Sequence, residues 1–113
     1  MMAFNRTRGR EIASSVLKAE DYASRSRGLL GRTAMGPGEG LWIVPCPMIH
    51  TFFMRFPIDV LFLDRGLKVV RVLEGLKPWR LSAWVWRAHS VLELGAGELQ
   101  GGVDVGDELE MRS

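Results

Sequence analysis

The chain has 113 residues, of which 47% are hydrophobic and 25% charged, as is typical of one packed globular domain and not of a disordered or fibrous protein. Fifteen Lys and Arg against thirteen Asp and Glu give a formal net charge of +2, which is too small to indicate nucleic-acid binding by itself. No apolar run approaches the roughly 18 to 20 residues of a membrane span. No signal-peptide core follows the basic N-terminal residues either, so we expect a cytoplasmic protein.

The N-terminal third begins with residues 1–11, which we expect to form a tail outside the folded domain. A first strand is predicted at residues 12–17 (IASSVL), where apolar residues surround two serines. Residues 20–32 (EDYASRSRGLLGR) predict a short amphipathic helix, with Gly31 placed to end it. The following AMGPGEG is a turn or loop because of its glycines and proline.

The rest of the chain predicts strands. The run LWIVP ends at Pro45, and Pro47 follows, so this segment is expected to be an edge strand or an extended connector because proline has no backbone donor. The run IDVLFLDRGLKVVRVLE predicts a hairpin in which Gly66 supplies a positive φ. SVLELGAG and GGVDVGDELEMR predict two more strands. The fold class is therefore α+β and mostly β: a small curled or barrel-like sheet of five to seven short strands with one short helix near the N-terminus, forming a single domain over residues 12–113.

Two acidic residues occur inside strands that otherwise look buried. Alternation along the strand puts Asp59 on the face of Leu61, while Glu93 shares a face with Val91. A buried carboxylate needs a cation or hydrogen-bond donors, because leaving it unpaired costs several kcal/mol. One hypothesis is structural, with Asp59 paired to Arg55. In the other, Asp59 and Glu93 face a shared cleft and have raised pKa values suited to acid or base work.

The stretch HTFFMRFPID mixes polar and aromatic residues, and it supplies most of the candidate ligand-binding residues. If the stretch is extended, His50 points to one side and Thr51 and Arg55 to the other. Together with Asp59 and Glu93, these side chains predict a polar cleft with apolar walls, which is the usual anatomy of a binding pocket.

The lone cysteine, Cys46, stands four residues before His50. The pair could contribute to a nucleophilic site if thiol and imidazole meet, whereas a metal site would need further ligands such as His89, Asp59 or Glu93. A single cysteine among apolar residues is more often a small core residue. We therefore predict neither a metal nor a cofactor.

Three tryptophans lie close together in PWRLSAWVWR: Trp79, Trp84 and Trp86. Most tryptophans are packed in the core or at its rim. If these side chains are exposed, they form an apolar surface of the kind that marks a partner site.

Several motifs appear in a fixed order, namely RGLLGR, CPMIHTFFMRFPIDVLFLD, PWR, and VLELGAG with a closing GD. Together they resemble the domain-of-unknown-function family 192, over residues 12–111. The match is to the branch with His-Thr-Phe-Phe-Met-Arg-Phe-Pro-Ile-Asp, whereas the commoner form of the family has a Trp-Met-Asn-Thr core. The resemblance implies a compact, mostly-β, barrel-like domain with RGLLGR on a helix, and it implies no activity.

Three functions follow as hypotheses. The first is a binding or accessory module that takes a small polar or anionic ligand in the cleft around residues 50–59. The second is a protein-protein adaptor that uses the surface between Trp79 and Trp86. The third is a small enzyme that uses Asp59 and Glu93, or Cys46 and His50.

Overall fold

The computed structural model describes residues 1–82 and 84–113, without the side chains of Tyr22 and Ser26. In this part of the chain there are eight strands and one helix, in the order β1 (Met2–Asn5), β2 (Arg10–Ala13), β3 (Ser15–Ala19), α1 (Tyr22–Arg27), β4 (Glu39–Ile43), β5 (Ile58–Leu63), β6 (Val69–Leu76), β7 (Ser90–Gly95) and β8 (Leu109–Arg112). The predicted mostly-β class with one short helix is confirmed, with slightly more strands than expected.

The strands form two sheets. The smaller has the order β2-β1-β8, and the larger has the order β3-β4-β7-β5-β6. Only β3 and β4 pair in parallel within the described chain, and the other neighbours are antiparallel. Neither sheet closes into a barrel in the part of the chain that the structure describes. In place of the single curled or barrel-like sheet predicted from the sequence, the strands form two open sheets.

The larger sheet is buried on both faces, as its two central strands require. One face carries Leu61, Leu63, Leu92 and Leu94, which pack with Ala3, Ala13 and Leu109 of the smaller sheet. The other face carries Ile58, Val60, Phe62 and Val91, which pack under Leu29 and the apolar residues of the segment that precedes β5. The predicted alternation along β5 and β7 is therefore confirmed, and each face has its own core.

Two expectations for the sheets need correction. Residues 1–11, expected to be a tail, contain β1 and the start of β2, and Ala3 and Asn5 are completely buried. The prediction that LWIVP is an edge strand or connector is wrong, because β4 lies between β3 and β7. This strand ends at Ile43, so both prolines lie beyond the hydrogen-bond ladder that they would have interrupted.

Two turns also differ from the sequence prediction. Helix α1 ends at Arg27 because Gly28 takes a φ of 48°, so only the first residue of RGLLGR lies on the helix and residues 28–32 follow it. In the hairpin between β5 and β6 the positive φ belongs to Leu67, at 65°, and not to Gly66. Asp64 Oδ1 accepts hydrogen bonds from the backbone N–H groups of Gly66 and Lys68, both at 2.9 Å, and these bonds hold the turn.

Candidate functional site

A cavity of about 130 Å³ lies between the residues that follow α1 and the segment 45–54. Its walls are mostly apolar, and the sheet contributes the side chains of Ile43 and Glu93. The lining residues fall on four parts of the chain: Arg25, Arg27, Gly28, Leu29 and Leu30 around the helix C-terminus, Ile43 at the end of β4, Pro45, Cys46, Met48, Ile49, His50 and Met54 in the segment, and Glu93 on β7.

Glu93 is the polar residue of the cavity that the sheet holds rigidly. It lies on the same face of β7 as Val91, directly across from Val60 of β5, and only 4% of its surface is exposed. No hydrogen-bond donor pairs with its carboxylate among the residues that the structure describes. Desolvation by this burial raises the pKa of Glu93 to about 7. The group is thus divided between its acid and carboxylate forms near neutral pH.

Cys46 lies beside Glu93 at the cavity wall. Its Sγ donates to the carbonyl oxygen of Met48 at 2.9 Å. Burial, and secondly the charge of Glu93, raise the pKa of the Cys46 thiol to about 11. A thiol with this pKa remains protonated at neutral pH, so the cavity contains a weak donor and not a thiolate nucleophile.

His50 and Thr51 leave the backbone in different directions. His50 is exposed at the edge of the cavity, where its Nδ1 accepts from the N–H of Phe52 at 3.3 Å and its ring stacks on Phe52. No bond joins His50 to Cys46 among the described contacts, so the two residues line one cavity without forming a pair. Residues 51–57 do not form a strand, and the expectation of an extended stretch is wrong here.

Thr51 is fully buried, and all of its polar atoms are used. Its Oγ1 donates to the carbonyl oxygen of Lys77 at 2.6 Å and accepts from the N–H of Arg80 at 2.8 Å. Its backbone N–H donates to the carbonyl oxygen of Arg80 at 2.8 Å. Thr51 therefore ties the segment that lines the cavity to residues 77–81, and its role is structural.

Asp59 is also satisfied internally. Its Oδ1 accepts from the N–H of Gly75 at 2.8 Å, and its Oδ2 accepts from the N–H groups of Gly97 and Leu99 at 3.0 and 3.2 Å. The predicted ion pair with Arg55 is wrong, because three backbone amides occupy the carboxylate while Arg55 is exposed. The predicted shared cleft is wrong as well, since Asp59 lies opposite Leu94 and Glu93 opposite Val60, on the two different faces of the sheet.

Sequence reasoning missed the two arginines of the cavity. Arg25 lies close enough to Cys46 to lower the pKa of that thiol slightly, against the larger effect of burial, and its Nη1 donates to the carbonyl oxygen of Pro45 at 3.4 Å. Arg27 is exposed and forms no salt bridge in the described chain, although its positive charge acts on the carboxylate of Asp21. The basic last turn of α1 was visible in the sequence, but its position against residues 45–50 depends on tertiary packing.

The three tryptophans are exposed, but they belong to two different surroundings. Trp79 packs against Phe53, with ring centroids 4.7 Å apart, beside the segment that lines the cavity. Trp84 and Trp86 instead line a shallow groove with Val70, Val72 and Val105. Ala83, within the predicted partner surface, lies outside the described residues.

A metal centre finds no support in the described residues, since no three His, Cys, Asp or Glu side chains converge there. The described chain has no helix with the length and apolar character needed to cross a membrane, and α1 has six residues.

Comparison with known proteins places the chain in a family. The model of domain-of-unknown-function family 192, described as "Uncharacterized ACR", matches residues 3–111. A UPF0127 protein of Pyrococcus furiosus is 35% identical over 113 residues, which cover 94% of each chain. A UPF0127 protein of Thermococcus sibiricus is 30% identical over 118 residues, covering 96% of this chain and 73% of the relative.

Two crystal structures share the fold. A protein of unknown function from Novosphingobium aromaticivorans superposes with a TM-score of 0.80 at 22% identity, covering 97% of this chain and 83% of its own. A protein from Sinorhizobium meliloti, described as a proposed transcription regulator, superposes with a TM-score of 0.81 at 27% identity and covers 96% and 89%. The family match spans nearly the whole sequence, and the chain belongs to domain-of-unknown-function family 192, the family of the archaeal UPF0127 proteins.

Proposed function

We propose that the protein is a binding module for a small organic molecule, and that the ligand occupies the cavity in front of Glu93. The observation that carries the proposal is the state of this carboxylate. A sheet holds it rigidly, solvent hardly reaches it, and no described residue donates a hydrogen bond to it. No fully buried side-chain oxygen lacks a partner in the described chain, so the unpaired carboxylate oxygens of Glu93 reach the open space of the cavity, where a ligand can supply the missing donor.

The size of the cavity limits the ligand. A volume of about 130 Å³ is close to that of engineered apolar cavities that hold a molecule such as benzene. The ligand is therefore compact, with roughly five to eight non-hydrogen atoms. A nucleotide, a sugar chain or a peptide does not fit within it, although a larger molecule could place one end there.

The polarity of the walls defines the ligand further. Leu29, Ile43 and Ile49 favour an apolar body. Glu93 pairs with a donor such as an ammonium, amide or hydroxyl group. Arg25 and Arg27 at the helix end are complementary to a carboxylate. A small molecule with a donor at one end and an acidic group at the other meets all three features.

A thermal unfolding screen tests the proposal. Wild type and Glu93→Gln are heated with small amines, amides, hydroxy acids and amino acids, and exposed Glu20→Gln is the matched control. A ligand present at about 100 times its Kd adds about 2.7 kcal/mol to stability, which shifts the Tm by several degrees. We expect at least one compound to stabilise wild type and Glu20→Gln, and to have little effect on Glu93→Gln.

Two results would contradict the proposal. The first is a compound that stabilises Glu93→Gln as much as wild type, since it would bind somewhere else. The second is a screen in which no compound of these classes shifts the Tm and none slows alkylation of Cys46, which lies in the cavity wall.

A further inference from the structure

Two loops outside the cavity form an exposed apolar surface, here named the aromatic tip. It consists of Phe52, Phe53, Trp79 and Leu81. Phe53 is 70% exposed and Trp79 is 56% exposed, although their rings contact each other. The bridge between His50 and Leu81 and the three bonds of Thr51 hold the two loops together. The tip is thus a fixed surface built from two segments.

The backbone holds these aromatic rings outward at a cost in conformational energy. Phe53 has a φ of 66° and Trp79 a φ of 65°, in the left-handed region that bulky residues rarely adopt. Both residues carry a large apolar side chain that burial in the core would stabilise. Strained backbone combined with exposed apolar side chains is the pattern found at functional surfaces.

The charged residues of the two loops that form the tip all have one sign. Arg55, Lys77 and Arg80 are exposed beside the aromatic residues, and none of them has an ion-pair partner within the described chain. No Asp or Glu occurs in residues 40–58 or in residues 75–92, which include both loops. The partner that is complementary to this surface is therefore both apolar and anionic.

We propose that the aromatic tip docks the protein on a membrane surface rich in anionic phospholipids. Tryptophan rings prefer the level of the lipid headgroups, where one side is apolar and the other wet, and nearby Lys and Arg side chains are attracted to anionic headgroups. Side chains that protrude fit a soft surface that deforms around them, without the preformed groove that a folded partner would need.

The ring geometry favours this partner over single-stranded nucleic acid. Bases bind by stacking on open ring faces. In the tip, Phe53 and Trp79 pack on each other at an interplanar angle of 59°, and Phe52 stacks on His50. The stack with His50 takes one face of Phe52, and the tilted rings of Phe53 and Trp79 offer no pair of parallel open faces, whereas insertion between lipid headgroups needs no stacking.

Sedimentation with vesicles tests this proposal independently of the cavity. The whole protein is mixed with vesicles of phosphatidylcholine alone or with added phosphatidylglycerol, at low and at physiological salt. We expect binding to the anionic vesicles only, weakened by salt. Phe53→Ser, and separately Arg55→Glu with Arg80→Glu, should each reduce the bound fraction about tenfold or more. Trp86→Ser, at 87% exposure outside the tip, and Arg10→Glu on β2 should bind like wild type.

Circular dichroism first confirms that each variant is folded, and Phe53→Ser avoids changing the residues that hold Thr51. The proposal is overturned if wild type does not sediment with anionic vesicles at low salt, or if Trp86→Ser loses as much binding as Phe53→Ser. It is overturned too if the vesicles do not bind and another partner does. Binding of an acidic peptide to the tip would support the adaptor hypothesis, and binding of a single-stranded oligonucleotide would indicate a nucleic-acid site.

Discussion

Asp59 and Glu93 lie on neighbouring strands of one sheet, and both are almost inaccessible to solvent, yet their surroundings are opposite. Asp59 accepts three hydrogen bonds from backbone amides on one face. Glu93, on the other face, has a cavity in front of it and no donor among the described residues. A buried carboxylate is thus informative only together with its hydrogen bonds: the first one organises loops, and the second faces a cavity without a donor among the described residues.

The largest effect is expected from removing the satisfied carboxylate. Asp59→Asn replaces one carboxylate oxygen with an NH2 group, so either the N–H of Gly75 or those of Gly97 and Leu99 face a donor in place of their acceptor. We expect a loss of about 3 to 5 kcal/mol in the free energy of unfolding, measured with urea. Asp64→Asn is the matched control, because its turn is exposed and the amide keeps an acceptor oxygen; it should cost less than about 1 kcal/mol. Equal losses in the two variants would contradict the comparison.

Removing the charge of Glu93 should raise the free energy of unfolding, opposite to the loss at Asp59, and this effect should depend on pH. Its folded pKa of about 7 is above its ordinary value of 4.5, so between these values the folded state binds more protons than the unfolded state. Stability should therefore be greatest below about pH 4.5 with respect to this group and fall by about 3 kcal/mol as the pH rises through about 7.

Urea unfolding of wild type and Glu93→Gln across this range measures the effect. The glutamine variant should lack this part of the pH slope and should be more stable than wild type above pH 7, because it carries no charge to bury. A slope that is identical in the two proteins would contradict the raised pKa of Glu93.

A smaller loss is expected at Thr51, the second satisfied group. Thr51→Val keeps the shape but leaves the carbonyl oxygen of Lys77 and the N–H of Arg80 without their partner. We expect about 2 kcal/mol of destabilisation by urea unfolding. Thr51→Ser should recover most of it, whereas exposed Thr33→Val should be neutral. If Thr51→Ser is as unstable as Thr51→Val, packing of the methyl group is the larger contribution.

The smallest effect concerns the thiol that shares the cavity with Glu93. Since burial and the Glu93 charge both raise the pKa of Cys46, Glu93→Gln should lower that pKa and increase the rate of alkylation by iodoacetamide a few-fold near neutral pH. Rates followed by mass spectrometry check this. An unchanged rate would mean that the carboxylate is already protonated or too far from Sγ to matter.

The parts of the fold that were predictable are those encoded over short distances. Alternation placed Asp59 with Leu61 and Glu93 with Val91, and the structure has the same faces. The partners of Asp59 could not be read from the sequence, because Gly97 and Leu99 are about 40 positions away and donate from the backbone, which has no sequence signature. A nearby arginine looked like the natural partner, but it lies on the surface.

The candidate site was predicted only in part. Glu93 stood out as a charge in an apolar strand, and Cys46 and His50 were singled out by residue type; all three line the cavity. Arg25 and Arg27 reach the cavity through the end of α1, where Gly28 turns the chain. Thr51 looked like a ligand-binding residue, but its hydroxyl is used by residues 77–80, a contact that only the folded chain creates.

The segment between Ile49 and Met54 has a double role. Ile49, His50 and Met54 line the cavity, while Phe52 and Phe53 stand on the outside as part of the aromatic tip. Neighbouring residues of one short stretch of backbone thus face two different parts of the molecule, the cavity and the outer surface. If the cavity and the tip both bind as proposed, a shift of this stretch couples the two binding equilibria, and coupling free energies are reciprocal. If a ligand in the cavity strengthens attachment of the tip by a given factor, attachment of the tip strengthens binding of that ligand by the same factor. A weakening is shared in the same way.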